Sequence, residues 1–298
     1  MRQHITAIKA ALAACPKIFN LLKALVVIYR KLRLELFQCF LSLRRIKKIN
    51  PNHGLSKKLN ISLTSYPPRF NTLHLTLISL LTQRTSPDRI VLWIAKNDIH
   101  LIPNKVNKLK KYGLEILGCE DIRSYKKIIP MINAVPREFI VTADDDVYYE
   151  PDWLSRLVRS YIENPVGVIC HRGHKIRLNP SGYPLPYKEW EGDISRELQS
   201  PLAFQTGVGG VLYAPEVFDA RVTDSTAFLS LCPTADDFWL YWMVRLNGSV
   251  IRILAGSKKF LVWRGSQEKA LWIENTTGDV SNDSACHKLI EAYGFPIK

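Results

Sequence analysis

From residue 59 onward, apolar runs alternate with segments in which apolar residues recur at helical spacing. "ISL", Ile61 to Leu63, reads as a short strand ended by Thr64, Ser65 and the Pro67-Pro68 pair. In "NTLHLTLISLLTQ", Leu73, Leu75, Leu77, Ile78, Leu80 and Leu81 mark an amphipathic helix. "DRIVLWIA" predicts a second buried strand over Arg89 to Ala95. "VNKLKKYG" predicts a helix closed by Gly113. "LEILGC" predicts a third strand, "SYKKIIPMINAV" a helix around Pro130, and "EFIVTADDD" a fourth strand. "PDWLSRLVRSYIEN" follows as a helix, with Pro151 and Asp152 suited to its start. "GVLYA" predicts a later strand.

Strand and helix in this alternation predict an α/β fold with a mostly parallel sheet flanked by helices. In open sheets of that kind, ligands bind outside the carboxyl ends of the strands. "LTSYPPR" and "ADDD" are both such ends and are expected on one rim. No internal repeat or low-complexity segment is visible.

The segment before this pattern is different. Thirteen Lys and Arg against Glu35 give residues 1–58 a net +12 of the chain's +14. The domain expectation is therefore a basic amphipathic helical extension with its linker, 1–58, and a catalytic body, 59–298. Its most apolar window, Ile18 to Tyr29, is interrupted by Asn20 and Lys23 and is too short to span a bilayer. It also lacks the cleavage site of a signal peptide. Two basic amphipathic helices fit an anionic membrane surface; a helical hairpin packed on protein is the other use of such a pattern. "NPNHGLSKK", Asn50 to Lys58, reads as the linker. Charge confined to the extension argues against nucleic acid as the partner of the body. The six cysteines are scattered without a C-x-x-C pair, as expected of buried thiols in a reducing, cytoplasmic compartment.

The chemistry concentrates at Asp144, Asp145 and Asp146, which end an apolar strand. Strand alternation would bring Asp144 and Asp146 together and turn Asp145 away. Oxygen ligands at a strand end suit Mg²⁺ or Mn²⁺ carried with substrate phosphates. Departure of a diphosphate is the reaction that needs such a cation.

"VTADDDVYYEPDWL" resembles the D-x-D region of nucleotide-sugar-dependent glycosyltransferases of the GT-A (Rossmann-like) fold. The chain is similar to the bacterial members that build lipopolysaccharide, capsule and other surface glycans, and distantly to exostosin-type transferases. The likeness runs from about Asn60 to about Gly294, with "ISLTSYPPRF" at the first strand and donor loop and "SLLTQRTSPDRIVLWIA" at the next helix and strand. It implies Mn²⁺ or Mg²⁺ on Asp146 and Asp144, and a nucleotide-sugar donor, most simply a UDP-sugar. The acceptor would be a glycan or a lipid-linked glycan, and the transferred group a hexosyl or N-acetylhexosaminyl unit. The basic extension, which the likeness does not cover, leads to the expectation of a peripheral position on the cytoplasmic face of the inner membrane, reached through residues 1–58.

The resemblance places donor contacts at Thr64, Ser65, Arg69, Lys127 (or Arg123), Asp144 and Asp145, and at Gly209 and Gly210 of "FQTGVGGVLYA". An Arg fork suits phosphate oxygens, but an exposed Arg and a solvated Lys pair are the plainer readings of Arg69 and Lys126-Lys127. At "TADDFW" it implies that Asp237, with Asp236 next, faces the acceptor hydroxyl. Those acids, or Thr234, also suit a helix cap. His287 in "NDSACHKLI" is a further metal candidate, beside Asp283. Tyr187 and Trp190 are candidates for stacking on an acceptor sugar. Two alternatives stand beside this reading. One is a sugar nucleotidyltransferase, against which "TSYPPR" counts because it is not a glycine-rich phosphate loop. The other is a silent glycan-binding protein of the same fold.

Overall fold

The computed structural model describes residues 35–41, 43–256, 260–263 and 281–297. The chain divides into two compact units, Met1–Arg45 and Ile46–Lys298. In the first, the described residues form a short helix over 35–41 that leaves Leu36 and Phe40 exposed. The rest of the expected basic helices lies outside the described residues. No helix among the described residues is long and apolar enough to cross a membrane.

The second unit is built on one eight-stranded sheet in the order β3-β2-β1-β4-β10-β6-β11-β8. Its strands are β1 (Leu59–Thr64), β2 (Arg89–Ala95), β3 (Leu114–Cys119), β4 (Phe139–Thr142), β6 (Val168–Cys170), β8 (Leu198–Ser200), β10 (Val211–Tyr213) and β11 (Ile251–Ile253). Strands β1 to β4 pair in parallel. Strand β10 runs antiparallel between β4 and β6, with Val211 opposite both Thr142 and Cys170. Two small ribbons flank the sheet: β5 (Val147–Tyr148) with β12 (Leu261–Val262), and β7 (Gly173–Lys175) with β9 (Ala203–Gln205). The helices are α1 (Phe70–Leu81), α2 (Asn104–Asn107), α3 (Ile129–Ala134), α4 (Trp153–Glu163), α5 (Ser225–Leu231), α6 (Asp236–Leu246) and α7 (Asn282–Tyr293).

The four N-terminal strands fall where their apolar runs predict, because parallel strands covered on both faces need side chains that tolerate complete burial. Ile61, Leu63, Ile90, Leu92 and Val141 are fully buried. The helix expected at "VNKLKKYG" is shorter than its pattern: α2 gives way to a 3₁₀ turn, Lys108–Tyr112, which Gly113 ends at φ +106°. "SYKKIIPMINAV" also divides. A 3₁₀ turn, Arg123–Lys127, precedes α3, whose first turn holds Pro130 where no N–H is required.

The polar segment 50–58 is laid along the body. Asn50 donates its N–H to Ser86 Oγ (3.2 Å), and His53 Nε2 lies 2.8 Å from Asp88 Oδ2. The same carboxylate oxygen accepts the N–H of Leu59 at 2.7 Å, so this segment sets where β1 begins. The compact body therefore starts near Ile46.

Candidate active site

Strand β4 stops at Thr142, so Asp144, Asp145 and Asp146 lie in a turn. The period of two has no hold on them there: Arg69 groups Asp146 with Asp145, while the charge of Asp144 still reaches Asp146. Each aspartate has its backbone tied. The N–H of Asp144 donates to the hydroxyl of Tyr149 at 2.8 Å. The hydroxyl of Thr76 reaches the carbonyls of Asp145 (2.9 Å) and Val147 (3.0 Å). The N–H of Trp263 donates to the carbonyl of Asp146 at 3.0 Å, and its indole donates to Thr76 Oγ1 at 2.8 Å. Tyr149 and Trp263 are buried, so the turn is held by packed side chains.

The side chains divide differently from the expectation. Ser65 Oγ donates to Asp145 Oδ2 (2.5 Å), and Arg69 Nη1 donates to Asp145 Oδ1 (2.7 Å) while standing 3.3 Å from Asp146 Oδ2. Arg69 is thus not a solvated arginine: its Nη1 bridges two aspartates, while its buried Nε has no protein partner among the described residues. Thr64 turns back to β2, donating to the carbonyl of Trp93 at 2.9 Å. Asp144 faces the other way, 3.6 Å from Lys127 Nζ.

Lys127 is the centre of the site. It is buried, 2.8 Å from Asp236 Oδ2, and joins the two acidic pairs. Its place is set by groups that the sequence pattern does not single out. Trp93 Nε1 donates to Ser62 Oγ (3.1 Å), which donates to the carbonyl of Lys127 (2.6 Å). Tyr125, fully buried, donates to the carbonyl of Cys232 (2.7 Å) and stacks on Phe228 at 4.0 Å. That anchors the 3₁₀ turn beneath the head of α6. Neighbouring Arg123 is exposed and donates to the carbonyl of Pro233.

Asp236 and Asp237 open α6, but the N-cap is Ala235, with no capping side chain. Their carboxylates are used elsewhere. Both oxygens of Asp237 accept the N–H of Gly207 at 3.0 Å. A Cβ placed on Gly207 would stand 2.7 Å from Lys127 Nζ and 3.1 Å from Asp237 Oδ1, so glycine lets the two groups converge. Gly209 offers its carbonyl to Trp153 Nε1 at 2.6 Å. Gly210 has φ +91°, and any Cβ there would collide with the Trp153 indole. Gly210→Ala is accordingly expected to cost about 1–3 kcal/mol by overpacking, read as a lower thermal midpoint. An unchanged midpoint would mean that Trp153 is free to move.

Electrostatics bind these facts together. Five carboxylates (Asp144, Asp145, Asp146, Asp236, Asp237) meet two cations, Arg69 and Lys127. Burial works against the charge of Lys127, yet Asp236, Asp144 and Asp237 hold its pKa well above the ordinary lysine value. Burial pushes Asp145 up against the pull of Arg69 and Ser65. Burial, then Asp145 and Asp144, pushes Asp146 up to about 7. Burial and Asp236 push Asp237 up to about 7, against the pull of Lys127. Such a cluster has surplus negative charge for which a cation is the natural relief.

No three His, Cys, Asp or Glu converge on a metal position among the described residues. The oxygen-only donor set nonetheless fits Mg²⁺ or Mn²⁺. Such ions are held by one or two carboxylates and complete their shell with water and substrate phosphate. Asp146 and Asp144 could hold it, since the charge of Asp144 reaches Asp146. His287 is not brought to them: it stands exposed on α7. Asp283 instead accepts the backbone N–H of Tyr187 at 2.7 Å. Trp190 is buried and donates its indole N–H to the carbonyl of Leu185, which makes it core; Tyr187 is half-buried.

A profile of the family described as Glycosyl transferase family 2 matches residues 131–212, from within α3 through the aspartate turn to within β10. The chain is similar to solved structures at low identity. A mannosyltransferase from Pyrobaculum calidifontis, in complex with GDP-Man and Mn²⁺, is 13% identical with a TM-score of 0.32; the match covers 50% of this chain and 44% of that one. A 4-diphosphocytidyl-2C-methyl-D-erythritol synthase from Anaerococcus prevotii is 13% identical with a TM-score of 0.44, covering 70% and 92%. A CMP:2-keto-3-deoxy-manno-octonic acid synthetase complexed with CTP is 12% identical with a TM-score of 0.38, covering 73% and 98%. The chain thus spans less than half the length of the mannosyltransferase it matches. No curated protein matches the chain. With the family match over just over a quarter of the chain and a mostly parallel sheet flanked by helices, the body has the GT-A, Rossmann-like α/β fold.

Proposed function

We propose that the protein is a metal-dependent glycosyltransferase that moves a hexosyl or N-acetylhexosaminyl unit from a nucleotide-diphosphate sugar, a UDP-sugar by preference, to a glycan or lipid-linked acceptor of surface polysaccharide synthesis. The observation that carries this reading is the surplus of carboxylate on the rim beside β4, linked through buried Lys127 to a second acidic pair at the head of α6. The family match over residues 131–212 supports it.

The roles follow from position. Asp146 and Asp144 hold the divalent cation, which when bound offsets charge growing on the departing diphosphate. Asp145, locked by Ser65 and Arg69, shapes the donor side of the turn. Lys127 presents a buried positive charge between the two acidic pairs, where a diphosphate is also attracted. Asp237 accepts the proton of the acceptor hydroxyl. A base whose pKa lies near 7 is suited to that task at neutral pH. The basic segment 1–58 holds the enzyme as a peripheral protein on an anionic cytoplasmic membrane face, which raises the local concentration of a membrane-borne acceptor.

The reading is tested by incubating the chain with a panel of nucleotide sugars, with Mn²⁺ and with a chelator, and following the products. Release of nucleoside diphosphate, stimulated by the metal, is the expected result. Release of inorganic diphosphate from a nucleoside triphosphate and a sugar phosphate, or from the triphosphate and a free sugar acid, would overturn it in favour of nucleotidyl transfer.

A further inference from the structure

A second polar group borders the site on the side of Asp237. Arg172 follows β6; its Nε stands 2.6 Å from Asp193 Oδ1, and its Nη1 donates to Thr206 Oγ1 at 3.2 Å. Thr206 precedes Gly207, whose N–H both oxygens of Asp237 accept. The Arg172–Asp193 pair is thus joined through one residue to the backbone that Asp237 grips. Tyr187 lies on the third side. Its ring is 5.5 Å from that of His174 and 5.7 Å from that of Phe238, the residue after Asp237. Burial, and next the charge of Asp237, push the Tyr187 phenol up to about 12. The bond from Tyr187 N–H to Asp283 fixes this turn to α7.

Asp193 has φ +47°, a left-handed conformation that crowds any residue with a Cβ. Glycine would take it without that cost. Asp193 is held there from two directions. Its N–H donates to His174 Nδ1 at 3.0 Å, and Arg172 holds its carboxylate. Burial keeps His174 neutral, with its pKa lowered to about 4. Despite these restraints the carboxylate is 64% exposed, and Arg172 is 27% exposed. Strained positions held by their surroundings cluster at ligand clamps.

We infer that Arg172, Asp193 and Tyr187 form a subsite for the hydroxyl groups of a neutral sugar. On the proposed function, on which this assignment of role rests, that sugar is the acceptor. A carboxylate accepts from two hydroxyls, and a guanidinium retains donors beyond those used on Asp193 and Thr206. The Tyr187 phenol both donates and accepts. The charges of Arg172 and Asp193 cancel, and Asp237 lies nearby, so the subsite disfavours uronates and sugar phosphates. A sugar seated here presents a hydroxyl toward Asp237.

The test is saturation-transfer NMR on the full chain with the methyl glycosides of glucose, galactose, mannose and N-acetylglucosamine, and methyl glucuronide as the charged control. At least one neutral glycoside is expected to bind, and to bind better than the glucuronide. Asp193→Gly and Arg172→Met are each expected to weaken it about tenfold or more. Asp193→Gly suits the backbone, so its thermal midpoint stays equal or rises, and the midpoint shift caused by UDP with Mn²⁺ stays unchanged. Unchanged glycoside binding in Asp193→Gly overturns the subsite. So does preference for the glucuronide, or no binding of any neutral glycoside by the wild-type chain. Failure of the transferase reading is a separate result: no nucleotide sugar is consumed, while glycoside binding and its loss in the variants persist.

Discussion

Asp237→Asn is expected to lower kcat by about 10²–10⁴-fold, the usual contribution of a positioned general base. The variant preserves shape, since an amide oxygen still accepts the Gly207 N–H that Asp237 now accepts with both oxygens. It removes the ionisation. In the wild type, activity should rise with pH through an inflection near 7, where the carboxylate loses its proton. In the variant that inflection should vanish.

Stability should move oppositely. A carboxylate whose folded pKa lies near 7, against an ordinary 3.8, binds more protons folded than unfolded between those values. Its contribution to stability therefore falls as pH rises through that window. Relative to wild type, the Asn variant should gain in thermal midpoint from pH 4 to pH 8. Full activity with the inflection intact would remove Asp237 from the chemistry.

Asp146→Ala should abolish the stimulation of turnover by Mn²⁺ and reduce turnover about 10²–10³-fold, the scale of losing one preorganised electrostatic contact to a transition state. The fold has little reason to fail. Trp263 grips the backbone carbonyl of Asp146, which alanine keeps, and Arg69 retains its 2.7 Å bond to Asp145. Deleting a carboxylate that burial and two like charges push up to about 7 removes a destabilising group at neutral pH, so the thermal midpoint should hold or rise. Turnover assayed with the metal and with a chelator gives the answer. Metal-independent turnover, equal in variant and wild type, would sink the assignment.

The parts of this molecule that could be read from sequence are those with a long, regular apolar signal. Strands β1, β2 and β4 were legible because each is buried on both faces, and β3, at the sheet edge and only half-buried, because its apolar run is bounded by Gly113 and a polar turn. Strands β5, β7, β8, β9 and β12 have two or three residues, too few for any period to register. The aspartates were legible as chemistry, but their partition was not. Thr142 ends β4, and alternation stops before the first carboxylate. Lys127 could be taken for a solvated lysine, because nothing local announces that Ser62, 65 residues earlier, holds its carbonyl. Asp193 carried no signal either. Its meaning comes from a positive φ and from Arg172 and His174, none of which sequence spacing predicts.

Strand β10 runs against its neighbours on both sides, and Val211 at its start pairs with Thr142 at the end of β4. It works as a seam in the molecule. Ser65, Arg69 and the aspartate turn sit on the β1–β4 side of it, while Arg172, Tyr187 and Asp193 sit on chain that leaves β6 and returns through β9. Loops beyond the seam can lengthen, shorten or exchange side chains without shifting the register of β1 to β4. On the proposed function, a lineage built on this frame can therefore change its acceptor while keeping the groups of the aspartate turn.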